Sequence, residues 1–369
     1  MNLITIILGT RPEAIKFAPV IKCFINNPLI KLRVVLTGQH REMVDQVFQS
    51  FEIKYDLNLE IMTPKQTLTD ITKKTIVNLE KEFTNNHPSL VLVQGDTTTA
   101  FASALAAFYK KIPVGHVEAG LRTKTILEPF PEEMNRRLIS NISSLNFAPT
   151  DLAVENLKRY NATGLVYKTG NTVIDAARII SKKNKKIDFE GIDLRNKKII
   201  LATVHRRENW GEKIKNIAHA LSSIIQKNND TILIFPIHPN PIVRDPIREI
   251  LGKQNRIILK EPMDYEDLIA HIKISTLIIT DSGGIQEEAP GFSKPVLVLR
   301  NNTERVESIK SGNAKLIGTN TNKIIHEANL LLNDAEEYNK MSKAVNPYGD
   351  GYASEKILDL CLKFLSDKN

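Results

Sequence analysis

The stretch Thr280-Asp281-Ser282-Gly283-Gly284-Ile285-Gln286-Glu287-Glu288-Ala289 decides how this chain is interpreted. It follows the apolar run Leu277-Ile278-Ile279, which predicts a buried strand, and its second half predicts the start of a helix. A double-glycine turn between a strand and a helix presents backbone N–H groups at the positive helix end, where phosphate groups bind. The same residues also fit a plain strand-to-helix turn that Ser282 caps.

Strand and helix patterns alternate along the rest of the chain. Apolar runs that predict strands lie at residues 3–8, 32–37, 90–93, 114–117, 145–148, 165–169, 198–203, 231–235, 256–259, 277–279 and 295–299. Residues 55–66 are predicted to be irregular, and Pro131-Glu132-Glu133 falls in a predicted loop before a helix. Alternating strands and helices form parallel sheets. We therefore expect an α/β fold with two doubly wound, Rossmann-like domains.

The length of 369 residues also favours two domains. We predict an N-terminal domain over residues 1–170 and a C-terminal domain over residues 171–351. The helix predicted within residues 352–369 is expected to pack back on the first domain. The boundary lies near the lysine-rich run at residues 181–186, which we interpret as a solvated linker.

Composition argues against several classes of protein. The chain is 42% hydrophobic and 25% charged, and no apolar stretch approaches the ~20 residues that span a bilayer. The formal charge of +8 comes without a nucleic-acid-binding motif, so we expect neither a nucleic-acid partner nor a membrane. Cys23 and Cys361 are too few for a disulfide framework, and no leader precedes the first predicted strand. These features predict a cytoplasmic protein.

Polar clusters follow the predicted strands in both halves of the chain. They lie at residues 9–13, 96–99, 118–122, 205–208, 238 and 281–284. In doubly wound sheets, ligands bind at the carboxyl ends of the strands. Clusters from both halves therefore predict a cleft between two domains whose strand ends face each other.

The residue types in these clusters suggest a diphosphate and acid–base chemistry. Cations and a helix N-terminus suit a diphosphate, and crowded carboxylates suit proton transfer because their pKa values are pushed apart. The cations are Arg11, Lys16, Arg122, Arg136, His205 and Arg206, and the carboxylates are Asp96, Glu118 and Glu132. Each residue also has a structural alternative: Asp96 could cap a helix, Glu118 could pair with Arg122, and His205 could be an interior histidine.

Several familiar motifs are absent from the sequence. Gly9-Thr10-Arg11-Pro12-Glu13 has one glycine, so it is neither a dinucleotide fingerprint nor a phosphate-binding P-loop. Asp281-Ser282-Gly283-Gly284 lacks the pattern of a nucleophile elbow, and the histidines form no metal triad.

Taken together, the motifs resemble those of the non-hydrolysing UDP-N-acetylglucosamine 2-epimerases. The resemblance runs from Met1 to about Leu365 and rests on residues 9–16, 95–99, 115–122, 131–133, 205–209, 280–289, 303–305 and 346–351. It implies two Rossmann-like domains, as in two-domain nucleotide-sugar glycosyltransferases, and a homodimer. It implies no nicotinamide cofactor and no metal. The implied reaction interconverts UDP-GlcNAc and UDP-ManNAc, usually for surface polysaccharide synthesis.

The resemblance also assigns roles to particular residues. The implied catalytic residues are Asp96, Glu118, Glu132, His205, Arg136 and Lys16. The implied substrate-binding residues are Arg11, Lys16, His205, Ser282, Gly283, Gly284, Glu288 and Arg305, with Glu288 on the ribose hydroxyls of UDP.

Some bacterial members of that family are activated by a second molecule of UDP-GlcNAc. The corresponding positions here are Gln39, Glu42, Lys65, Arg206 and His238, together with Glu132. The family has glutamine and arginine where this chain has Glu42 and Lys65, and a lysine cannot reproduce the two-pronged contact of an arginine. Gly291-Phe292-Ser293 and Val306 depart from the family pattern too. Activation is therefore a hypothesis for this chain.

Other functions fit parts of the same pattern. An epimerase of a further-modified UDP-HexNAc would share these motifs, and a two-domain glycosyltransferase would share the nucleotide-binding residues. A hydrolysing 2-epimerase would release free UDP, and a non-catalytic nucleotide-sugar sensor would not need Asp96, Glu118 and Glu132 together.

Overall fold

Parallel strands and helices alternate throughout the computed structural model, which describes residues 1–39, 41–187, 189, 194 and 196–367. The strands are β1 (Asn2–Leu8), β2 (Ile30–Leu36), β3 (Leu57–Asn58), β4 (Leu90–Gln94), β5 (Val114–Val117), β6 (Leu145–Ala148), β7 (Leu165–Lys168), β8 (Lys198–Thr203), β9 (Thr231–Pro236), β10 (Ile257–Lys260), β11 (Leu277–Thr280), β12 (Val296–Val298) and β13 (Ala314–Leu316).

A helix lies between every two consecutive strands of this list. They are α1 (Arg11–Ile25), α2 (Arg41–Phe51), α3 (Leu68–Asn86), α4 (Thr98–Tyr109), α5 (Glu132–Ile142), α6 (Asp151–Arg159), α7 (Thr172–Ser181), α8 (Glu212–Lys227), α9 (Pro241–Leu251), α10 (Tyr265–Ile274), α11 (Gly283–Glu288), α12 (Val306–Ser311), α13 (Thr321–Asn333), α14 (Ala335–Ser342) and α15 (Ala353–Ser366). Short 3₁₀ turns follow β8 at Arg207–Asn209 and α11 at Ala289–Phe292.

The chain divides into two compact units. The first unit comprises Met1–Ile179 and Tyr348–Asn369, and the second comprises Ile180–Pro347. Helix α15 belongs to the first unit, where it contacts α1, and Asp175 of α7 accepts hydrogen bonds from the backbone N–H groups of Ala353 and Ser354 at 3.2 and 2.7 Å. The predicted terminal helix included Lys368 and Asn369, which lie outside the described residues.

Each unit contains one parallel sheet with the strand order of a doubly wound fold. The first sheet has the order β3-β2-β1-β4-β5-β6-β7, and the second has the order β10-β9-β8-β11-β12-β13. All recorded strand pairs are parallel, with β1 pairing β4 and β8 pairing β11. The strand order reverses between β1 and β4 in the first sheet and between β8 and β11 in the second. Each of these pairs therefore marks the topological switch point of its sheet, where ligands bind. The predicted α/β class with two doubly wound sheets is confirmed.

Buried apolar strands explain why these segments pair. Every residue of β4, β5 and β11 is buried, as expected for parallel strands that helices cover on both faces. In the first unit, Ala104 and Ala107 of α4 pack with Val91 and Val93 of β4. Small side chains on α4 therefore let this helix lie close to the sheet, which fixes the strand ends that carry the site.

Two expectations about local structure are wrong. Residues 55–66 are not wholly irregular, because they include the two-residue strand β3, and the three-residue strand β13 lies outside the predicted strands; both are too short for periodicity to reveal. Glu132 begins α5 and does not lie in a loop, because carbonyl oxygens of Pro129 and Pro131 already accept the first helical hydrogen bonds.

The lysine-rich run is exposed over residues 182–186, and two of its lysines also form ion pairs. Lys183 pairs with Glu266 at 2.8 Å, and Lys185 pairs with Asp267 at 2.7 Å and with Asp264 at 3.3 Å. These carboxylates lie at the start of α10, where the helix dipole favours negative charge. The lysines therefore neutralise an acidic helix N-terminus.

Candidate active site

In the first unit, three predicted catalytic residues follow strands at the carboxyl edge of the sheet. Asp96 follows β4, Glu118 follows β5, and Lys16 lies on α1, which follows β1. Glu132 and Arg136 join them from the first turns of α5. The structure therefore brings these five residues into one cluster.

Glu118 is the most tightly held carboxylate of the cluster. Its Oε1 accepts hydrogen bonds from Lys16 Nζ and from Asn171 Nδ2, the latter at 3.3 Å, and its Oε2 accepts from Gln94 Nε2. Its backbone has a φ of +64°, in the left-handed region that costs a non-glycine residue about 1–3 kcal/mol. Arg122 is not among these partners of Glu118. The alternative in which Glu118 pairs with Arg122 is therefore wrong.

Gly120 makes the turn after β5 possible. Its φ is +95°, and a Cβ there would lie 2.3 Å from the carbonyl oxygen of Ala153. Only glycine fits this position, so the chain leaves the strand with Glu118 turned inward.

Asp96 lies against Arg136 within the same cluster. Arg136 Nε is 3.3 Å from Asp96 Oδ2, and the amide of Asn135 donates to the Asp96 carbonyl oxygen at 2.9 Å. Burial raises the pKa of the Asp96 carboxyl; Arg136 and Lys16 oppose the rise, whereas Glu118 and Glu132 add to it. Asp96 does not cap α4, because the Thr97 hydroxyl accepts the Ala100 N–H instead.

Glu132 has an oxygen that the protein does not satisfy. Its Oε2 is buried and has no hydrogen-bond partner among the described residues. A buried carboxylate oxygen of this kind is costly in a purely structural role. It is suited to accept or deliver a proton.

The sequence did not identify two further buried carboxylates. Glu13 accepts hydrogen bonds from the N–H groups of Gly9 and Thr10 at 2.9 and 2.7 Å, and from the Thr97 hydroxyl at 2.7 Å. Glu133 accepts from Thr123 N at 3.0 Å and from Arg137 Nε at 2.8 Å. Both have protein donors on the carboxylate, which indicates that they hold loops in place. The spacing Thr10-x-x-Glu13 is a capping pattern that could have revealed the first.

His116 lies under the cluster as a neutral ring. It is fully buried on β5, and its Nε2 is 2.7 Å from the carbonyl oxygen of Gly95. Burial lowers its pKa to about 4. The ring therefore links the end of β4 to β5 without adding charge.

Two predicted cations of the first unit differ in their surroundings. Arg11 begins α1, and no ion pair to its guanidinium is found among the described residues. Arg122 instead donates to Ser140 Oγ at 2.8 Å and lies over the ring of Tyr160, 5.6 Å from its centroid. Arg11 is thus suited to bind an anion, whereas Arg122 supports α5.

In the second unit, His205 and Asp281 join the two strands of the switch point. Asp281 follows β11, and its Oδ1 lies 3.0 Å from His205 Nδ1. Its carboxylate also accepts from the N–H groups of His205 and Arg206, at 3.1 and 2.9 Å, and from Asn209 Nδ2 at 2.9 Å. Burial works against the charge, but these hydrogen bonds lower the pKa of Asp281 below its usual value.

Asp281 orients the His205 ring. The His205 side chain is 41% exposed, and with Nδ1 on the carboxylate its Nε2 is directed away from Asp281. His205 is therefore not an interior histidine. The sequence analysis assigns Asp281 no separate role, although Asp281 is the first charged residue after the buried strand.

The stretch at residues 280–289 forms the turn from β11 into α11. The Thr280 hydroxyl accepts the Ser282 N–H at 2.9 Å, which closes the turn. Ser282 is the N-cap residue of α11, but its hydroxyl makes no capping hydrogen bond. The interpretation as a plain capped turn is therefore wrong, and the hydroxyl is available to a ligand. Glu288 is buried at the other end of this helix.

Arg305 lies directly over Gly283. Its Nε is 2.9 Å from Glu287 Oε1, and its Nη1 is 2.8 Å from Glu304 Oε1. A Cβ on Gly283 would be 3.1 Å from the Arg305 Cζ. The absent side chain at Gly283 thus gives the guanidinium its place beside the start of α11.

A cavity of about 190 Å³ opens beside His205 and Ser282. Pro236, His238 and Met263 also line it. Ligand cavities commonly measure about 300–1,000 Å³, so this one suits a part of a ligand. Its mostly apolar lining with a few polar groups is typical of small-molecule sites.

The residues predicted to bind an activator lie in both units. In the first, Thr99 Oγ1 donates to Gln39 Oε1 at 3.5 Å, Glu42 lies in the first turn of α2, and Lys65 has a φ of +58°. In the second, Arg206 lies 3.9 Å from Glu304, and His238 Nδ1 accepts the Asn240 N–H at 3.2 Å.

The described residues contain no group of three or more His, Cys, Asp or Glu side chains that could hold a metal ion. None of the described helices has both the length and the apolar composition needed to cross a bilayer.

Two doubly wound sheets, one with a carboxylate cluster after its strands and one with His205, Ser282 and two glycines there, place the chain in the class of two-domain, Rossmann-like proteins. Comparison with known proteins identifies a family within this class. A family model described as UDP-N-acetylglucosamine 2-epimerase matches residues 24–362. A UDP-N-acetylglucosamine 2-epimerase of Campylobacter jejuni is 46% identical over 373 residues, 98% of this chain and 97% of that protein.

Solved structures agree with the family match. A UDP-GlcNAc 2-epimerase from Neisseria meningitidis bound to UDP-GlcNAc aligns with a TM-score of 0.88 and 46% identity, over 98% of this chain and 100% of that one. The Methanocaldococcus jannaschii enzyme in complex with UDP-GlcNAc and UDP gives a TM-score of 0.78 and 34% identity, over 98% and 99%. The chain belongs to the UDP-N-acetylglucosamine 2-epimerase family, whose members are isomerases. The resemblance that its motifs predicted is confirmed.

Proposed function

We propose that the protein interconverts UDP-GlcNAc and UDP-ManNAc. The observation that carries this proposal is the group of carboxylates Asp96, Glu118 and Glu132 at the switch point of the first sheet, with Lys16 and Arg136 among them. Binding of a nucleotide sugar alone would not need three carboxylates together. Family membership and the ligands bound by the solved relatives support the choice of substrate.

The proposed reaction is an elimination followed by an addition. The C2 proton of the sugar is not adjacent to a carbonyl group, so a base alone removes it only at high cost. Anti elimination transfers the C2 proton to a carboxylate and breaks the C1–O bond, which gives 2-acetamidoglucal and UDP. UDP then adds back at C1, and a proton from an acid returns to C2 on the other face. Atoms and charge balance, and no redox step is needed.

The carboxylates of the first unit supply the acid and the base. Burial keeps the pKa of Asp96 raised, so this group holds a proton more readily than an exposed aspartate. Glu118 is surrounded by donors, and Glu132 has an unsatisfied oxygen. Their different surroundings suit two different roles, as acid and base on the two faces of a ring.

The second unit is proposed to bind UDP through Ser282, Gly283, Gly284 and the oriented ring of His205, with Glu288 on the ribose. Arg305 adds positive charge beside the turn, although its direct contacts are Glu287 and Glu304. UDP must stay bound after the C1–O bond breaks, so strong diphosphate binding is part of catalysis.

Isotope exchange tests this proposal. We would incubate the protein with UDP-GlcNAc in deuterated water and follow the sugar by NMR and mass spectrometry. The proposal predicts UDP-ManNAc with deuterium at C2 and little net free UDP. Free ManNAc would indicate a hydrolysing enzyme, and no change would contradict the proposed substrate.

We further infer that the protein is a homodimer and that it acts in the cytoplasm. Val77, Phe108 and Tyr109 on α3 and α4 are exposed at 44, 52 and 65%, and the 3.2 Å pair of Lys110 with Glu80 joins these helices. Apolar exposure of this kind supports an interface. Light scattering would detect the dimer, and Tyr109→Glu should weaken it. Both cysteines are free thiols in the described structure, which suits a reducing compartment.

We also propose that UDP-GlcNAc activates the enzyme through Gln39, Glu42, Lys65, Arg206 and His238. UDP-ManNAc alone should then react slowly until a trace of UDP-GlcNAc is added. A full initial rate with UDP-ManNAc alone would contradict activation.

A further inference from the structure

Two amide side chains without an assigned role hold the Glu118 carboxylate. Gln94 ends β4, is 2% exposed, and donates from Nε2 to Glu118 Oε2. Asn171 lies between β7 and α7, is 3% exposed, and donates from Nδ2 to Glu118 Oε1 at 3.3 Å. Each contact comes from a segment other than the one that carries Lys16.

The orientation of the Asn171 amide is itself fixed. Its Oδ1 accepts the Val173 N–H at 3.1 Å, so the nitrogen of the amide has to face Glu118. Its backbone N–H donates to the Tyr348 carbonyl oxygen at 2.7 Å, which anchors the loop. The donor to Glu118 is therefore preorganised.

Donors on both oxygens restrict rotation of the carboxylate. Gln94 holds one oxygen, and Lys16 and Asn171 hold the other. The plane of the carboxylate is thereby held in one orientation, which matters because proton transfer depends on a correctly aligned group. A lysine alone would hold one oxygen and leave the other free to turn.

We propose that Gln94 and Asn171 are positioning residues, which fix the Glu118 carboxylate through both oxygens so that it exchanges a proton with the sugar in one orientation. This inference rests on the proposed function, in which Glu118 contacts the substrate.

Two nearly isosteric variants test the proposal. Asn171→Asp keeps an acceptor for the Val173 N–H but replaces the donor to Glu118 with an oxygen. Gln94→Glu likewise replaces the donor to the other oxygen of Glu118 with an oxygen. We expect kcat to fall roughly 10–100-fold in each, with KM changed less than about threefold. A second carboxylate beside Glu118 should also move the limb of the pH–rate profile that reports Glu118 to higher pH.

Asn146→Asp is the matched control. Asn146 is fully buried on β6 of the same unit, and its Nδ2 donates to the Thr163 carbonyl oxygen at 2.7 Å, with no contact to Glu118. The Asn146→Asp variant undergoes the same change from amide to carboxylate. We therefore expect it to lose thermal stability without a shift in the limb of the pH–rate profile that reports Glu118. If Asn171→Asp does not fold, as judged by circular dichroism, Gln94→Glu carries the test.

Glu118→Gln separates this inference from the function on which it rests. If Glu118→Gln is inactive while folded Gln94→Glu and Asn171→Asp keep the wild-type kcat and pH profile, the positioning role is overturned. If Glu118→Gln keeps its activity, the proposed role of Glu118 is wrong. Lower kcat with a shifted pH limb in the two amide variants, and not in the control, supports the inference.

Discussion

The switch points of the two sheets use a buried carboxylate in similar ways, yet they leave different groups available. In the first unit, Glu13 joins the loop after β1 to the loop after β4 through the Thr97 hydroxyl. In the second, Asp281 joins the loop after β11 to the loop after β8 through His205, Arg206 and Asn209. Both carboxylates are fully engaged by protein donors.

The groups that remain differ in kind. The first switch point carries the carboxylates Asp96, Glu118 and Glu132, and one oxygen of Glu132 is unsatisfied among the described residues. Beside Asp281 lie donors, the Ser282 hydroxyl and the exposed ring of His205. The same fold element therefore suits proton transfer in one unit and anion binding in the other, and the difference comes from the neighbours of a shared structural carboxylate.

The largest expected effect is on turnover. Asp96→Asn and Glu118→Gln should each lower kcat by roughly 10²–10⁴-fold, because each removes a proton-transfer group. A coupled assay for UDP-ManNAc formation measures this loss, with circular dichroism as the check of folding. Near-normal activity in either variant would contradict the proposed role of that carboxylate in proton transfer at the first switch point.

Stability distinguishes the two structural carboxylates. Asp281→Asn should cost about 3 kcal/mol of unfolding free energy, because N–H donors face both oxygens and an amide cannot satisfy them all. Glu13→Gln should cost about 1 kcal/mol, since Thr97 contacts the oxygen Oε1 through a hydroxyl that can also accept. Urea denaturation measures both. Equal losses would mean that the two carboxylates are equivalent.

The pH dependence should have opposite signs at Asp96 and Asp281. The pKa of Asp281 is lowered from 3.8, so its charge adds stability above 3.8 that is lost as pH falls through the folded value. The pKa of Asp96 is raised from 3.8, so its ionisation removes stability as pH rises from 3.8 through the folded value.

Urea denaturation of the wild type, Asp281→Asn and Asp96→Asn over a range of pH checks the opposite signs of these two pH dependences. From pH 3 upward, Asp281→Asn should lose stability relative to the wild type, whereas Asp96→Asn should hold level or gain. The same trend in both variants would contradict the assignment of one aspartate to structure and the other to chemistry.

The smallest effect concerns the turn at α11. Gly284→Ala meets only Glu288 Oε2, at 3.9 Å, and should gain up to about 1 kcal/mol because alanine favours a helix. Gly283→Ala should gain less or lose stability, since its Cβ would lie 3.1 Å from Arg305 Cζ and the ion-paired guanidinium has to shift. Thermal unfolding of the two variants compares them, and an equal gain would mean that Arg305 moves freely.

Sequence patterns predicted much of the fold because buried parallel strands are continuous apolar runs. They also identified most of the residues after those runs, since polar residues at strand ends are visible locally. They could not reveal Gln94 or Asn171, whose contact with Glu118 spans 24 and 53 residues of chain. Arg305 illustrates the same limit, because its ion pair with Glu287 depends on how the residue before α12 packs against α11.

Calorimetric titration of UDP tests the division of roles most directly. The titration would compare the wild type with Glu118→Gln from the first unit and Ser282→Ala from the second. We expect Glu118→Gln to bind UDP within about threefold of the wild-type Kd, and Ser282→Ala to bind at least about tenfold more weakly, as the loss of a hydrogen bond to a charged group predicts. Weakened UDP binding in Glu118→Gln with unchanged binding in Ser282→Ala would contradict the assignment of chemistry to one switch point and UDP binding to the other.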